Sequence, residues 1–347
     1  MLASNALKRS GLLDGYAGLR DMLTRKSHTV IVMYHRVVDR AESDSIFSLP
    51  QIVVYQDSFE RHIAFLSTHY DVLPIDQYID SVNKRIALPS KTAIITFDDG
   101  WRDNYLYAFP VLKRYNTAAT IFLTTGFIGT NRMFWQEELI FLVSGSLTYG
   151  VDIKPCFARA GLKAALPILD KLSYAKDSNR VILEIIDTLK RVDIPTLTAL
   201  IQDMKEALSI EELPYAQNTF LDWDQIRQMQ GSNIGFGSHG ISHALLDSCT
   251  GERIRQELME SKKKIERELS CQVRTFAYPN GNYNVSVIKH LQEAGYEAGF
   301  TVQHGLNTQD TDPYRLRRIN ICEDRFADMK GRFSEALFAA RLSNMPL

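Results

Sequence analysis

No two of the four cysteines form a CxxC pair, since Cys156, Cys249, Cys271 and Cys322 are scattered along the chain. That spacing excludes a thiolate zinc site and offers no disulfide framework, so reduced, partly buried thiols are expected. Charge of one sign is also missing: 40 Lys and Arg stand against 41 Asp and Glu. With no net field to gather it, nucleic acid is not an expected partner. No apolar run is long enough to span a bilayer, and the first residues, MLASNALKRSGLLDGYAGLRDMLTRKS, lack the uninterrupted apolar core of a secretory signal. A soluble, cytoplasmic protein is the expectation. No repeat of fixed period and no low-complexity tract interrupts a composition that is 45% hydrophobic and 23% charged, which suits a large folded core.

Leu12, Tyr16, Leu19 and Leu23 fall at helical spacing beside Arg20, Arg25 and Lys26. Residues 1–28 therefore read as an amphipathic helical segment. Packing against the protein's own core is favoured over peripheral membrane contact.

Short β-branched runs at 29–34, 92–97, 118–123, 234–237, 274–278 and 298–302 read as strands. Most are continuously apolar, as in strands covered on both faces by helices. Between them lie helical patterns. One opens at Asp57 with a capping-box-like Asp-Ser-Phe-Glu and continues through Phe59, Ile63 and Leu66; another runs from near Thr250 to Leu269. Alternating strands and helices predict an α/β fold with a mostly parallel sheet and functional groups at the carboxyl ends of the strands. The main domain is expected over 29–325, with a helical insertion at about 135–221 and a C-terminal helix within 326–347.

Three strand ends carry chemistry. Thr96-Phe97-Asp98-Asp99-Gly100 puts two carboxylates where a buried strand leaves the core, a costly placement unless their charge is offset. Asp99 or Asp103 could instead cap the helix that follows. His239 and His243 stand four residues apart, which a helical turn would bring to one face, and that is metal-ligand spacing. Two imidazoles and a carboxylate suit Zn²⁺ or another first-row divalent ion (Co²⁺, Ni²⁺ or Mn²⁺) with open positions. The run 274–283 contains Tyr278-Pro279-Asn280-Gly281, a turn whose backbone N–H groups could hold an oxyanion.

These three motifs, in this order, resemble those of the polysaccharide deacetylase family (carbohydrate esterase family 4, the NodB-homology family). Supporting fragments are Met33-Tyr34-His35-Arg36-Val37, Phe134-Trp135, Leu221-Asp222-Trp223, Ala294-Gly295-Tyr296 and Arg315-Leu316-Arg317-Arg318-Ile319, and the resemblance covers roughly 29–321. It implies a distorted (β/α) barrel, Asp98 as general base, and Asp99, His239 and His243 as metal ligands. It also implies hydrolysis of N-acetyl groups from an N-acetylhexosamine-containing polysaccharide or its precursor. Trp101, Tyr278, Pro279, Asn280 and Gly281 are the expected substrate-binding residues.

Three departures stand out. Ala277 occupies the place of the arginine that tethers the base in many members, with Arg274 nearby. Leu316-Arg317-Arg318 replaces the Leu-x-His that supplies the general acid, leaving His35 and His304 as substitutes. Gly240 stands where serine or threonine is usual. The first two motivate one alternative, a metal- and carbohydrate-binding module that has lost turnover; a deacylase of a non-sugar amide is the other. An Fe(II) oxygenase would carry its carboxylate near the first histidine. A glycosidase would leave the histidines unexplained.

Overall fold

The computed structural model describes residues 28–45, 47–172, 178–211, 219–326 and 333–343. The expected N-terminal helix falls on residues outside these. The chain divides into two compact units, the first of 1–40, 50–130 and 220–347, the second of 41–49 and 131–219.

The first unit begins with β1 (His28–Tyr34), β2 (Arg36–Val38), β3 (Val53–Tyr55), α1 (Gln56–His69), β4 (Asp71–Val72), α2 (Ile75–Asn83), β5 (Lys91–Phe97), α3 (Phe109–Arg114) and β6 (Ala119–Leu123). The second contributes α4 (Trp135–Tyr149), α5 (Lys154–Arg159), α6 (Leu166–Lys171), α7 (Ser178–Leu189) and α8 (Ile194–Ala207). The first then resumes with α9 (Trp223–Gln230), β7 (Ile234–Ser238), α10 (Gly251–Leu269), β8 (Thr275–Ala277), α11 (Val285–Glu293), β9 (Ala298–Phe300), β10 (Ile319–Asn320) and α12 (Glu335–Leu342).

The main sheet is parallel throughout, in the order β10-β1-β5-β6-β7-β8-β9, with β4 added on the early part of β5. Its two outer strands meet, because Phe300 of β9 bridges Leu316 just before β10. The sheet thus curls into the distorted (β/α) barrel that the motifs implied. Parallel strands buried on both sides need apolar residues at every position, and β5 is buried from Thr92 to Phe97. Ile31, Ile94, Phe122, Ala277 and Phe300, from five different strands, converge on one apolar cluster with Ile75, Tyr78 and Ile79 of α2. Truncating an isoleucine in such a cluster to alanine costs about 2–5 kcal/mol.

Three boundaries differ from the sequence reading. α1 starts at Gln56 rather than Asp57, and no side chain caps it. Asp57 lies in its first turn and pairs with exposed Arg40, while the Tyr55 N–H is taken by Glu323. The second unit also gains 41–49, because Phe47 packs edge-on against Phe141 of α4 at 4.8 Å. Phe220 and Leu221 return to the first unit: Phe220 bridges Trp101 and the Leu221 N–H donates to the Gly100 carbonyl. Around Leu142, Phe157, Ile185, Leu200 and Met204 the second unit has an apolar core of its own. All four cysteines are free thiols. Among the described residues no helix is long and apolar enough to cross a membrane.

Candidate active site

The site is built where β1, β5, β7 and β8 end. Asp98 continues β5 and its N–H donates to the Tyr34 carbonyl of β1; His239 continues β7 and its N–H donates to Leu123 of β6. The chain then turns sharply, with Asp99 at φ 77° and Gly100 at φ 84°. A left-handed backbone at a non-glycine residue is strained, and such strain persists where surrounding structure fixes it. Asp103 stands before the helical turn 104–108 but makes no side-chain capping bond to it. Asp103 instead binds Arg36 Nε (2.7 Å) and the Val37 N–H (3.1 Å).

The turn aims Asp99 at both imidazoles. Its Oδ1 lies 3.4 Å from His239 Nε2 and 3.5 Å from His243 Nε2, and these three atoms all fall within 4.8 Å of one another. Oδ2 accepts the indole N–H of Trp101 at 2.8 Å, whereas buried Oδ1 has no hydrogen-bond partner. His239 Nδ1 is 2.7 Å from the Ala277 carbonyl. A carbonyl only accepts, so Nδ1 carries the hydrogen and Nε2 turns its lone pair toward Asp99. An orphaned carboxylate oxygen facing two imidazole nitrogens is a donor set that fits a first-row divalent cation.

Electrostatics agree with that use. Burial alone would raise the Asp99 carboxyl, but the neighbouring imidazoles of His239, His243 and His35 outweigh it and hold it well below the usual carboxylate range. Burial pushes His243 down to about 4, so at neutral pH it is an uncharged donor. For His239 burial is outweighed by Asp98 and Asp99, and its pKa is raised.

The expected helical turn over 239–243 is absent. Gly240 at φ 81° and His243 at φ 59° bend these residues into a loop. The N–H groups of Ile241 and Ser242 go to the Glu257 carboxylate of α10 rather than to a helix ladder.

Asp98 is clamped by a residue the sequence reading did not single out. Arg318, fully buried, donates Nη1 to Oδ1 and Nη2 to Oδ2, both at 2.7 Å, and Nε to the Thr301 carbonyl at 2.8 Å. Burial raises the Asp98 carboxyl; Arg318, with His239 and His35, more than offsets that and lowers it. The place left open by Ala277 is therefore filled from the segment preceding β10. Arg274 does not fill it, being engaged at the entry of β8 with Glu297 and Asp80. Only the fragment Leu316-Arg317-Arg318, noted for its missing histidine, hinted at this.

His35, between β1 and β2, brings Nε2 to 4.0 Å from Asp98 Oδ2, and its buried Nδ1 has no hydrogen-bond partner. Burial lowers its pKa against the pull of Asp99 and Asp98. Its carbonyl is held by Asn104 Nδ2 at 2.7 Å. His304 is exposed in the segment after β9.

Two expected sugar platforms are corrected. Trp101 and Tyr278 are both fully buried and present no face to a substrate. Trp101 stacks on Phe220 at 4.6 Å with the Arg36 guanidinium 4.5 Å from its ring, and Tyr278 donates its hydroxyl to the Tyr314 carbonyl. Among the other expected contacts, Pro279 is buried, Asn280 is exposed at φ 54°, and the Gly281 N–H is spent inside the turn on the Tyr278 carbonyl.

The polysaccharide deacetylase family model matches residues 85–144 and 170–299. The chain belongs to this family. The Bacillus subtilis protein YxkH is 22% identical over 308 residues, covering 88% of this chain and 76% of its own. The poly-β-1,6-N-acetyl-D-glucosamine N-deacetylase of Staphylococcus epidermidis is 23% identical over 309 residues, covering 87% and 81%. The solved structure of the Streptococcus pyogenes deacetylase PplD in complex with acetate superposes with a TM-score of 0.56 at 18% identity, over 86% of this chain and 95% of that one. The protein is thus a polysaccharide deacetylase, a hydrolase of amide C–N bonds, and the deacetylase fold sets the triad Asp99–His239–His243 beside the pair Asp98–Arg318.

Proposed function

We propose that this deacetylase removes N-acetyl groups from an N-acetylhexosamine-containing polysaccharide, with a β-1,6-linked N-acetylglucosamine polymer as first choice, and that it depends on a divalent metal, Zn²⁺ foremost. The observation that carries the reading is the orphaned Asp99 Oδ1 facing two imidazoles beside a carboxylate locked by Arg318. The polymer is suggested by the Staphylococcus epidermidis relative, whose name carries that substrate.

Asp99, His239 and His243 would hold the ion, which when bound supplies a Lewis acid and lowers the pKa of water. Asp98, kept ionised by Arg318, takes a proton from the water that attacks the acetamide carbonyl carbon. The C–N bond then breaks and the amine nitrogen takes up a proton, giving acetate and a free amino sugar. His35 is assigned as the donor: burial disfavours its charged form at rest, and its Nε2 stands 4.0 Å from Oδ2 of Asp98, the carboxylate that collects the proton from water. His35 and Arg318 favour turnover over the alternative of a module that has lost it.

The test is acetate release from β-1,6-linked and β-1,4-linked N-acetylglucosamine oligomers with Zn²⁺ restored, wild type beside His35→Gln and His304→Gln. A fall of about 10²-fold or more for His35→Gln, with His304→Gln unchanged, is expected of a general acid. Equal effects of the two changes would contradict the assignment, and a preference for the β-1,4 oligomer would move the substrate.

A further inference from the structure

We infer that Glu257 is a positioning residue for the metal-ligand loop, a buried carboxylate that fixes 239–243 in its bent form before any ion arrives. This rests on the reading of Asp99, His239 and His243 as ligands. Glu257 projects from α10, is fully buried, and spends both oxygens on the loop and its neighbour. Oε2 accepts the N–H groups of Ile241 (2.6 Å) and Ser242 (3.0 Å); Oε1 accepts the Ser242 hydroxyl (2.5 Å) and pairs with Arg253 Nη2 at 2.6 Å. Arg253 Nη2 also donates to Ser242 Oγ at 3.0 Å.

The opposite side of the loop is pinned as well. The Thr125 and Gly126 N–H groups donate to the carbonyls of Gly240 and Ile241, at 3.0 and 2.8 Å. Gly240 takes φ 81° freely, but His243 at φ 59° sits in the left-handed region that a non-glycine residue seldom adopts unaided. Two N–H groups aimed at one carboxylate oxygen supply the missing restraint, since charge-assisted bonds of this kind are about twice as strong as neutral ones. Gly240 acquires a reason too: a Cβ there would stand 2.9 Å from Glu257 Oε2. The residue that departs from the family pattern is the one that makes room for the carboxylate.

The experiment measures Zn²⁺ affinity of chelator-stripped protein by competition with a chromophoric chelator, for wild type, Glu257→Ala and Glu257→Gln. Glu257→Ala should weaken binding by about 10–100-fold, as loss of a group that orients metal ligands does. Glu257→Gln, whose amide oxygen still accepts from both N–H groups, should recover most of it, to within about 5-fold of wild type. A merely structural role would lower the melting temperature of both variants without this graded loss of affinity. Amide hydrogen exchange on metal-free wild type keeps the test open if Glu257→Ala does not fold: slow exchange at Ile241 and Ser242 is expected, and fast exchange overturns the inference. So does a Glu257→Ala variant binding Zn²⁺ like wild type. Wild type that binds no Zn²⁺ would instead sink the ligand assignment beneath it.

Discussion

Replacing Arg318 by methionine isolates what holds the Asp98 carboxylate in place. The change removes two 2.7 Å bonds to a carboxylate that is 2% exposed, and the guanidinium it deletes is itself fully buried. Breaking a buried pair by removing one partner costs about 3–5 kcal/mol, mostly because the remaining charge is left unpaired. The penalty depends on pH with a definite sign. In wild type the folded Asp98 pKa lies below its unfolded value, so its contribution is present above that value and is lost as pH falls through the folded pKa. In Arg318→Met the largest interaction opposing burial is gone, only His239 and His35 still act against it, and the folded pKa moves up from its wild-type position. The gap in unfolding free energy between the two proteins should therefore be small near pH 4 and widen toward pH 8. Urea denaturation across that range reads it directly. Adding Asp98→Asn to Arg318→Met should recover most of the lost stability while acetate release stays abolished. A gap that does not change with pH, and that Asp98→Asn leaves in place, would refute the clamp.

His62 of α1 is caged by Phe338 at 4.5 Å and Phe333 at 4.7 Å, with neither ring nitrogen hydrogen-bonded, and burial pushes its pKa down to about 3. Because the unfolded chain binds the proton first, stability should fall by about 2 kcal/mol as pH drops from 6.5 to 5. His62→Phe should flatten that slope in denaturation curves, and an unchanged slope would place the acid sensitivity elsewhere. Trp101→Phe keeps a ring but deletes the bond to Asp99 Oδ2. Zn²⁺ affinity should drop by about 10-fold, with KM for oligosaccharide at saturating Zn²⁺ little altered; a raised KM with intact affinity would restore Trp101 as a sugar platform. Gly281→Ala puts a Cβ 2.3 Å from Val302 Cγ2 at φ 75°, and thermal denaturation should show a loss of about 1–3 kcal/mol.

The carboxylates and histidines were legible because each follows an apolar strand, and parallel strands deliver their carboxyl ends to one rim. Arg318 was not, since it meets Asp98 across 220 positions of sequence through β10, a strand of two residues with no periodic signal. Trp101 shows a different limit: an aromatic residue after a glycine turn suits a core or a platform, and only the left-handed turn at Asp99 and Gly100 sends its N–H to the Asp99 carboxylate. The four-residue spacing of His239 and His243 gave the right pairing by the wrong geometry. Spacing cannot tell a helical turn from a loop whose N–H groups are taken by Glu257. The second unit's helices stood out by their apolar periodicity, while residues 41–49 are too short to carry one.

The most direct test is acetate release from β-1,6-linked N-acetylglucosamine oligomers by chelator-stripped protein, with Zn²⁺ or Co²⁺ restored, for wild type, Asp98→Asn and His239→Ala. Activity that returns with the metal in wild type and in neither variant is the expected result. Acetate release that persists without metal, or that survives His239→Ala, would contradict the metal-dependent mechanism.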